Sequence, residues 1–218
     1  MATATVIRHG EALRKSTEIT RTLRRMYRPE VSMIAPADVI AVLHEAGVRF
    51  VLMGNYGITG WRGEARATED VDILVRTRDH RKAVRAIQDA FPQLQVVDYP
   101  VVTRFLDPVT KAPLIDLMKP NQPLFKVAFR QTVLDAEGYL IPNLEFALAC
   151  KFAAMVSPNR QERKKYLDAA DFMAIVESNA PAIRLDRLRR LGERVYPGGG
   201  AEIIGLVEDA KAGRRIVF

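Results

Sequence analysis

An α/β (α+β) fold, with a mixed or antiparallel sheet followed by a C-terminal helical domain, is predicted by the order of apolar patterns along this 218-residue chain. Up to residue 141, short apolar runs of strand length alternate with stretches of helical periodicity, and from Asn143 onward only helical periodicity remains. Hydrophobic residues make up 48% of the chain, which at this length supports a buried core. The expected organisation is a basic helix or arm over 1–29, a core over 30–141 and a helical domain over 142–218.

Residues 11–27 are polar and basic and form a helix that ends before Pro29, either packed on the body or leading it loosely. Pro36 opens a second helix, in which Val39, Ile40, Leu43 and Val48 recur near every 3.6 residues. A strand over 49–53 runs into Gly54, after which Gly57, Gly60 and Gly63 recur at every third position. Without proline this is not collagen, and without a following Gly-Lys-Ser/Thr it is not a Walker loop. It is expected to be a flexible loop whose backbone is open to a phosphate. Trp61 within it is either a local packing residue or a platform for a base.

A strand over 70–76 follows, and Asp79 is expected to cap a helix reaching about Ala90. Strands near 94–98, 101–106 and 112–118 come next, the last two joined by the turn 107–113, and strand-like pieces at 130–134 and 138–141 complete this half. Asn143, after Pro142, is a good N-cap for a helix over 144–156, where Leu144, Leu148 and Met155 form an apolar stripe that includes Lys151. Asp168 and Asp171 lie among Leu167, Ala170, Phe172 and Ile175 on the next helix. Two further basic helices, near 184–194 and 201–212, flank Pro197-Gly-Gly-Gly200.

The chemistry concentrates in Arg66-Ala-Thr-Glu-Asp-Val-Asp72. Side chains alternate along a strand, so Asp70 and Asp72 share one face while Val71, Ile73 and Val75 take the other. Two adjacent carboxylates repel, and a divalent cation between them relieves that cost. Mg²⁺ held in this way, as one ion or two, would bridge the phosphates of a nucleoside triphosphate (NTP). Asp116, on the face shared by Leu114 and Met118, supplies a third acid. Antiparallel pairing through the 107–113 hairpin is expected to bring it to the other two.

These residues resemble the DNA polymerase β-type nucleotidyltransferase superfamily: a strand, a glycine turn, Asp-x-Asp and a distal Asp. Gly54-Asn55-Tyr56-Gly57 followed by Arg66-x-Thr68-x-Asp70-x-Asp72 is most similar to the AbiEii-type nucleotidyltransferases, the toxins of bacterial toxin-antitoxin and phage-defence pairs. In that family a helix carries a lysine, then come a basic segment and an Asp-x-x-Asp helix, matched here by Lys151, Arg160 to Lys165, and Asp168-Ala-Ala-Asp171. The likeness covers roughly residues 36 to 178. Asn55 departs from it, standing where Gly or Ser is usual, although its amide can donate to a phosphate oxygen.

The resemblance implies transfer of a nucleotide monophosphate (NMP) from an NTP, with loss of pyrophosphate, to an RNA acceptor, a tRNA 3′ end above all, and a cognate antitoxin protein. Asp70, Asp72 and Asp116 would hold the metal, with Asp116 also accepting the proton of the attacking hydroxyl. Gly54 would let the backbone approach the phosphates, while Asn55, Arg66, Thr68 and Lys151 contact or organise the triphosphate. Asp168 or Asp171 would orient Lys151. A small-molecule acceptor such as an aminoglycoside, a protein acceptor and a non-enzymatic nucleotide-binding module are the alternatives.

Composition narrows the partners. The chain has no run of 18 apolar residues and no apolar core after its N-terminal charges, so membrane spanning and secretion are unsupported and a cytoplasmic location is expected. Cys150 cannot form an internal disulfide and is expected to be a buried, inert thiol; His9, His44 and His80 lack metal-ligand spacing. A net charge of +7, from 33 Lys and Arg against 26 Asp and Glu, favours an anionic partner. The basic residues cluster at Arg14, Lys15, Arg21, Arg24, Arg25 and Arg28, and at Arg184, Arg187, Arg189, Arg190 and Arg194. Each cluster is either a solvated helix face or part of a polynucleotide track.

Overall fold

Seven apolar segments too short for helices pair into one sheet: β1 (Phe50–Leu52), β2 (Val71–Val75), β3 (Gln95–Asp98), β4 (Val102–Leu106), β5 (Pro113–Met118), β6 (Thr132–Leu134) and β7 (Leu140–Pro142). The computed structural model describes residues 2–216, with side chains from His9 onward. The spatial order is β3-β4-β5-β2-β1-β7-β6, and the sheet is mixed as the sequence predicts. The β4–β5 hairpin is antiparallel, but β5 then meets β2 in parallel, with Asp72 opposite Asp116. A parallel neighbour requires a crossover, and here α4 (His80–Ala90), β3 and β4 together supply it.

Alternation divides the side chains of the sheet between two cores. Val71, Ile73 and Val75 join the cluster under α2 (Pro36–Glu45) and α4, whereas Leu74 packs with the helices of the C-terminal half. Asp70 and Asp72 precede Leu74 on this second face, so the acids lie where the face opens at the N-terminal end of β2.

The glycine-rich stretch departs from expectation, because it forms a helix, α3 (Gly54–Arg62), rather than a flexible loop. Each of its glycines meets a different neighbour, and Gly60 is the one that lets α1 (Ala2–Tyr27) approach, since a Cβ there would stand 2.8 Å from the Cα of His9. Ser16 and Thr59 hydroxyls lie 3.2 Å apart across the contact, and the Tyr56 hydroxyl donates to Thr20 Oγ1 at 3.5 Å. The N-terminal helix is therefore seated on the body. Trp61 is a packing residue whose indole N–H donates to the carbonyl of Pro142 at 2.9 Å.

Smaller differences have local causes. Asp79 occupies the N-cap position of α4 but its side chain makes no capping bond, because a 3₁₀ turn over Thr77–Asp79 leads into the helix. Residues Phe125–Arg130 form a second 3₁₀ segment, so the strand expected from residue 130 begins at Thr132.

Asn143 caps α5 (Leu144–Met155) as its position predicts, its Oδ1 accepting the Phe146 N–H at 2.9 Å. Burial covers almost the whole circumference of α5 rather than one stripe, since Phe146, Ala147, Leu148, Ala149 and Phe152 are all inaccessible. Around it pack α6 (Glu162–Asn179), α7 (Leu185–Gly192) and α8 (Gly199–Lys211). Among the described residues no helix is long and apolar enough to cross a membrane.

Phe152 lies at the centre of this packing, its ring 5.8 Å from that of Tyr196. Phe152→Ala should cost about 3–5 kcal/mol in urea unfolding, and a loss under about 1 kcal/mol would contradict the packing described.

Candidate active site

A cleft of about 1040 Å³ opens between the acid-bearing face of the sheet and helices α5 and α6, with the C-terminal part of α1 along one wall. Every site residue expected from the sequence lines it except Asp171, which lies behind. The parallel β2–β5 register sets Asp72 beside Asp116, and alternation adds Asp70. Carboxylate oxygens of the three lie within 4.8 Å of one another.

The crowding has electrostatic consequences. Burial raises the Asp70 carboxyl, and it raises Asp72 well above the ordinary range, with the charges of Asp70 and Asp116 adding to the effect. Burial and the charge of Asp70 lift Asp116 to about 6, against the opposing pull of Arg104. Arg104 Nε donates to Asp116 Oδ2 at 3.2 Å, while the other oxygen, Oδ1, is buried without a hydrogen-bond partner. An oxygen-only donor set, mutual repulsion and an orphaned buried oxygen together fit a hard divalent cation.

Gly54 owes its identity to this cluster. It has φ +57°, and a Cβ there would lie 1.8 Å from Asp72 Oδ2. The space that the sequence reading left for a phosphate is filled first by the Asp72 carboxylate.

Behind the acids lies a buried network of opposite charges. Lys151 Nζ is 2.8 Å from Asp168 and 2.7 Å from Asp171, so both carboxylates hold it rather than one. Arg66 grips Asp171 with two parallel bonds, Nε at 3.0 Å and Nη2 at 2.7 Å, and Arg62 Nε approaches the same carboxylate at 3.3 Å. Asp168 also accepts from Arg160 Nε at 2.8 Å. Burial alone would raise Asp171, yet the hydrogen bonds and charges of Arg66 and Lys151 prevail and hold it at about 2.

Several residues expected to contact phosphate are engaged within the protein. The amide of Asn55 is buried, accepting from Arg62 Nη1 at 2.9 Å and donating to the Arg66 carbonyl at 3.2 Å. Lys151 sits between its two carboxylates, and the Thr68 N–H donates to Thr20 Oγ1 at 3.1 Å. Arg160, with its side chain 40% exposed, Lys164, 3.4 Å from Glu69 Oε2, and the exposed Arg163 are cations of α6 and its approach that remain accessible along the cleft.

Sequence reasoning missed Arg62 and Arg104, and placed Arg24 only in the basic cluster of the first helix. Arg24 reaches from α1 to the carbonyls of Ser32 and Glu69 and so ties the helix to the acidic loop. Cys150 lines the cleft, and burial pushes its thiol up to about 12, so it stays protonated.

No protein-family model matches the chain, and no curated protein matches it. Solved structures do. An antigenic nucleotidyltransferase-like protein from Paracoccidioides brasiliensis is 17% identical with a TM-score of 0.47, the match covering 83% of this chain and 93% of that one. The antibiotic-resistance factor ANT(2'')-Ia is 14% identical with a TM-score of 0.47, over 82% of this chain and 95% of that one. The Thermotoga maritima CCA-adding enzyme complexed with tRNA is 11% identical with a TM-score of 0.36, over 92% of this chain and 57% of that one. At these values none of them assigns this chain an activity or a substrate.

Two measurements test the electrostatics. Asp116 titrates at about 6 when folded against 3.8 in the reference state, so the folded chain binds more protons between those values and the group costs stability as pH rises through them. Buried His9, lowered to about 4 by desolvation, has the opposite slope over an overlapping range, so the diagnostic quantity is a difference. In chelator, wild-type stability relative to Asp116→Asn should fall by on the order of 1–2 kcal/mol between about pH 4.5 and about pH 7; a rise would refute the assignment. Lys151→Met removes a cation shared by two buried carboxylates and should cost about 3–5 kcal/mol. An unfolding free energy unchanged to within about 1 kcal/mol would mean that the pairs contribute nothing.

Proposed function

We propose that this chain is a Mg²⁺-dependent nucleotidyltransferase that moves an NMP from an NTP to an RNA acceptor, a tRNA 3′ end in particular, and acts as the toxin of a pair with a separate antitoxin protein. The observation that carries the catalytic part is the gathering of Asp70, Asp72 and Asp116 within 4.8 Å, with one Asp116 oxygen buried and unpartnered. These three would hold Mg²⁺, which when bound neutralises charge on the phosphates during transfer.

The chain's own groups do the rest. Asp116 lies beside Asp70 and Asp72, where its carboxylate would accept the proton of the attacking hydroxyl. That hydroxyl oxygen bonds to the α-phosphorus as the bond to the pyrophosphate oxygen breaks. Arg160 and Lys164 at the rim offer charge to the triphosphate, and the Asp168–Lys151–Asp171 network keeps the α6 wall in place. The RNA acceptor is supported by the net charge of +7 and by the arginine clusters on α1 and around α7. The toxin role and the tRNA end rest on the motif resemblance.

The test is incubation of the pure chain with each α-labelled NTP, Mg²⁺ and total cellular RNA. Label should enter RNA, expression should arrest growth, and Asp→Ala at 70, 72 or 116 should lower transfer by more than roughly 100-fold in a folded protein. Native-rate transfer by Asp72→Ala would sink the metal site. Label entering an aminoglycoside or a protein but never RNA would leave the transfer chemistry and remove the toxin.

A further inference from the structure

Four arginines outside the cleft have found no use in it. Arg187, Arg190 and Arg194 recur at i, i+3 and i+7 along α7 and just beyond its end, and therefore share a face. Arg130, closing the 3₁₀ segment Phe125–Arg130, meets them across a separate pocket of about 440 Å³ with Val127 and Leu191 in its lining. All four side chains are exposed. Among the described residues only Arg190 has a carboxylate within ion-pair distance, Asp186 at 2.9 Å, and both members of that pair are 68% exposed. Like charges at these spacings repel, so the cluster lowers stability unless an anion occupies it.

The pocket shares no lining residue with the cleft, yet the same 3₁₀ segment borders both: Phe125 lines the cleft and Arg130 the pocket. Five residues of 3₁₀ rise separate them by about 10 Å. Guanidinium forks match phosphate oxygens, and an apolar lining of Val127 and Leu191 suits the flat face of a base or a ribose. An acidic peptide would satisfy the charge but make less of that apolar lining.

We propose that this pocket is a second anion site whose arginines hold successive backbone phosphates of a polynucleotide whose end enters the cleft. That the polynucleotide is the acceptor rests on the nucleotidyltransferase reading; that the pocket binds it does not. The test uses the full chain and a fluorescent single-stranded RNA oligonucleotide of mixed sequence, without NTP, over a salt series. Arg187→Glu, Arg190→Glu and Arg194→Glu combined should weaken binding at least about tenfold at about 100 mM salt and flatten the slope of log affinity against log salt by about 2. Arg130→Gln should flatten it by about 0.7. Melting temperature should not fall below the wild-type value in either variant, since repulsion among the arginines is relieved, and NTP binding should stay at its wild-type value in both.

Unchanged affinity and slope in the triple variant would overturn the proposal. So would competition at the pocket by polyglutamate or inorganic phosphate alone, with no binding of the oligonucleotide. Oligonucleotide binding that depends on these arginines, in a protein that labels no RNA, would sustain the pocket and count against the enzyme reading alone.

Discussion

Three carboxylates held within 4.8 Å of one another are the constraint around which the rest of this molecule is arranged. Left to themselves they would separate, and only the backbone keeps them together: parallel pairing of β2 with β5 fixes Asp72 beside Asp116, and the pleat fixes Asp70 above. The neighbours follow from that demand. Residue 54 has no side chain because the Asp72 carboxylate already fills its place, and Arg104 answers one oxygen of Asp116 while leaving the other free.

The second organising interaction is Asp171, which draws Arg62 from α3, Arg66 from the following loop and Lys151 from α5 onto one carboxylate. Each of these charges would be costly if buried alone, and each is compensated only while the others stay in place. The network therefore binds the sheet half to the helical half through geometry as much as through energy. It also explains why Lys151 can sit on a helix buried all round: its ammonium group is enclosed by Asp168 and Asp171, so its stem can pack among apolar neighbours.

Much of this was legible in the sequence because it depends on short periods. Alternation placed Asp70, Asp72 and Asp116 on their faces, the N-cap at Asn143 marked the start of α5, and the apolar runs located all seven strands to within two residues. The errors arose where a pattern had two physical meanings. Glycines every third residue suit a loose loop, but each can equally mark a separate close approach on a helix, here of Gly54 to Asp72, Gly57 to the Leu52 carbonyl and Gly60 to α1. Arg104 was hidden for another reason: counting back from the hairpin sets Leu106 opposite Pro113, but an irregularity at Phe105/Leu106 shifts the register by one, so that Arg104 rather than its neighbour faces Asp116. The buried network was out of reach because its partners lie far apart in the chain, and no local period reports a contact between Arg66 and Asp171.

The seating of α1 against α3, with Arg24 fastened to the Ser32 and Glu69 carbonyls, makes the first helix a wall of the same cleft that α6 closes from the other side. The cleft is thus assembled from helices more than 130 residues apart in the sequence. As the chain emerges from the ribosome, the acids of β2 and β5 are available long before the carboxylates of α6 that secure Lys151 and Arg66. Contacts so distant in sequence form late. A nascent chain therefore carries the ligands of the site well before it has the site itself, and any chemistry performed there waits on the synthesis of α6.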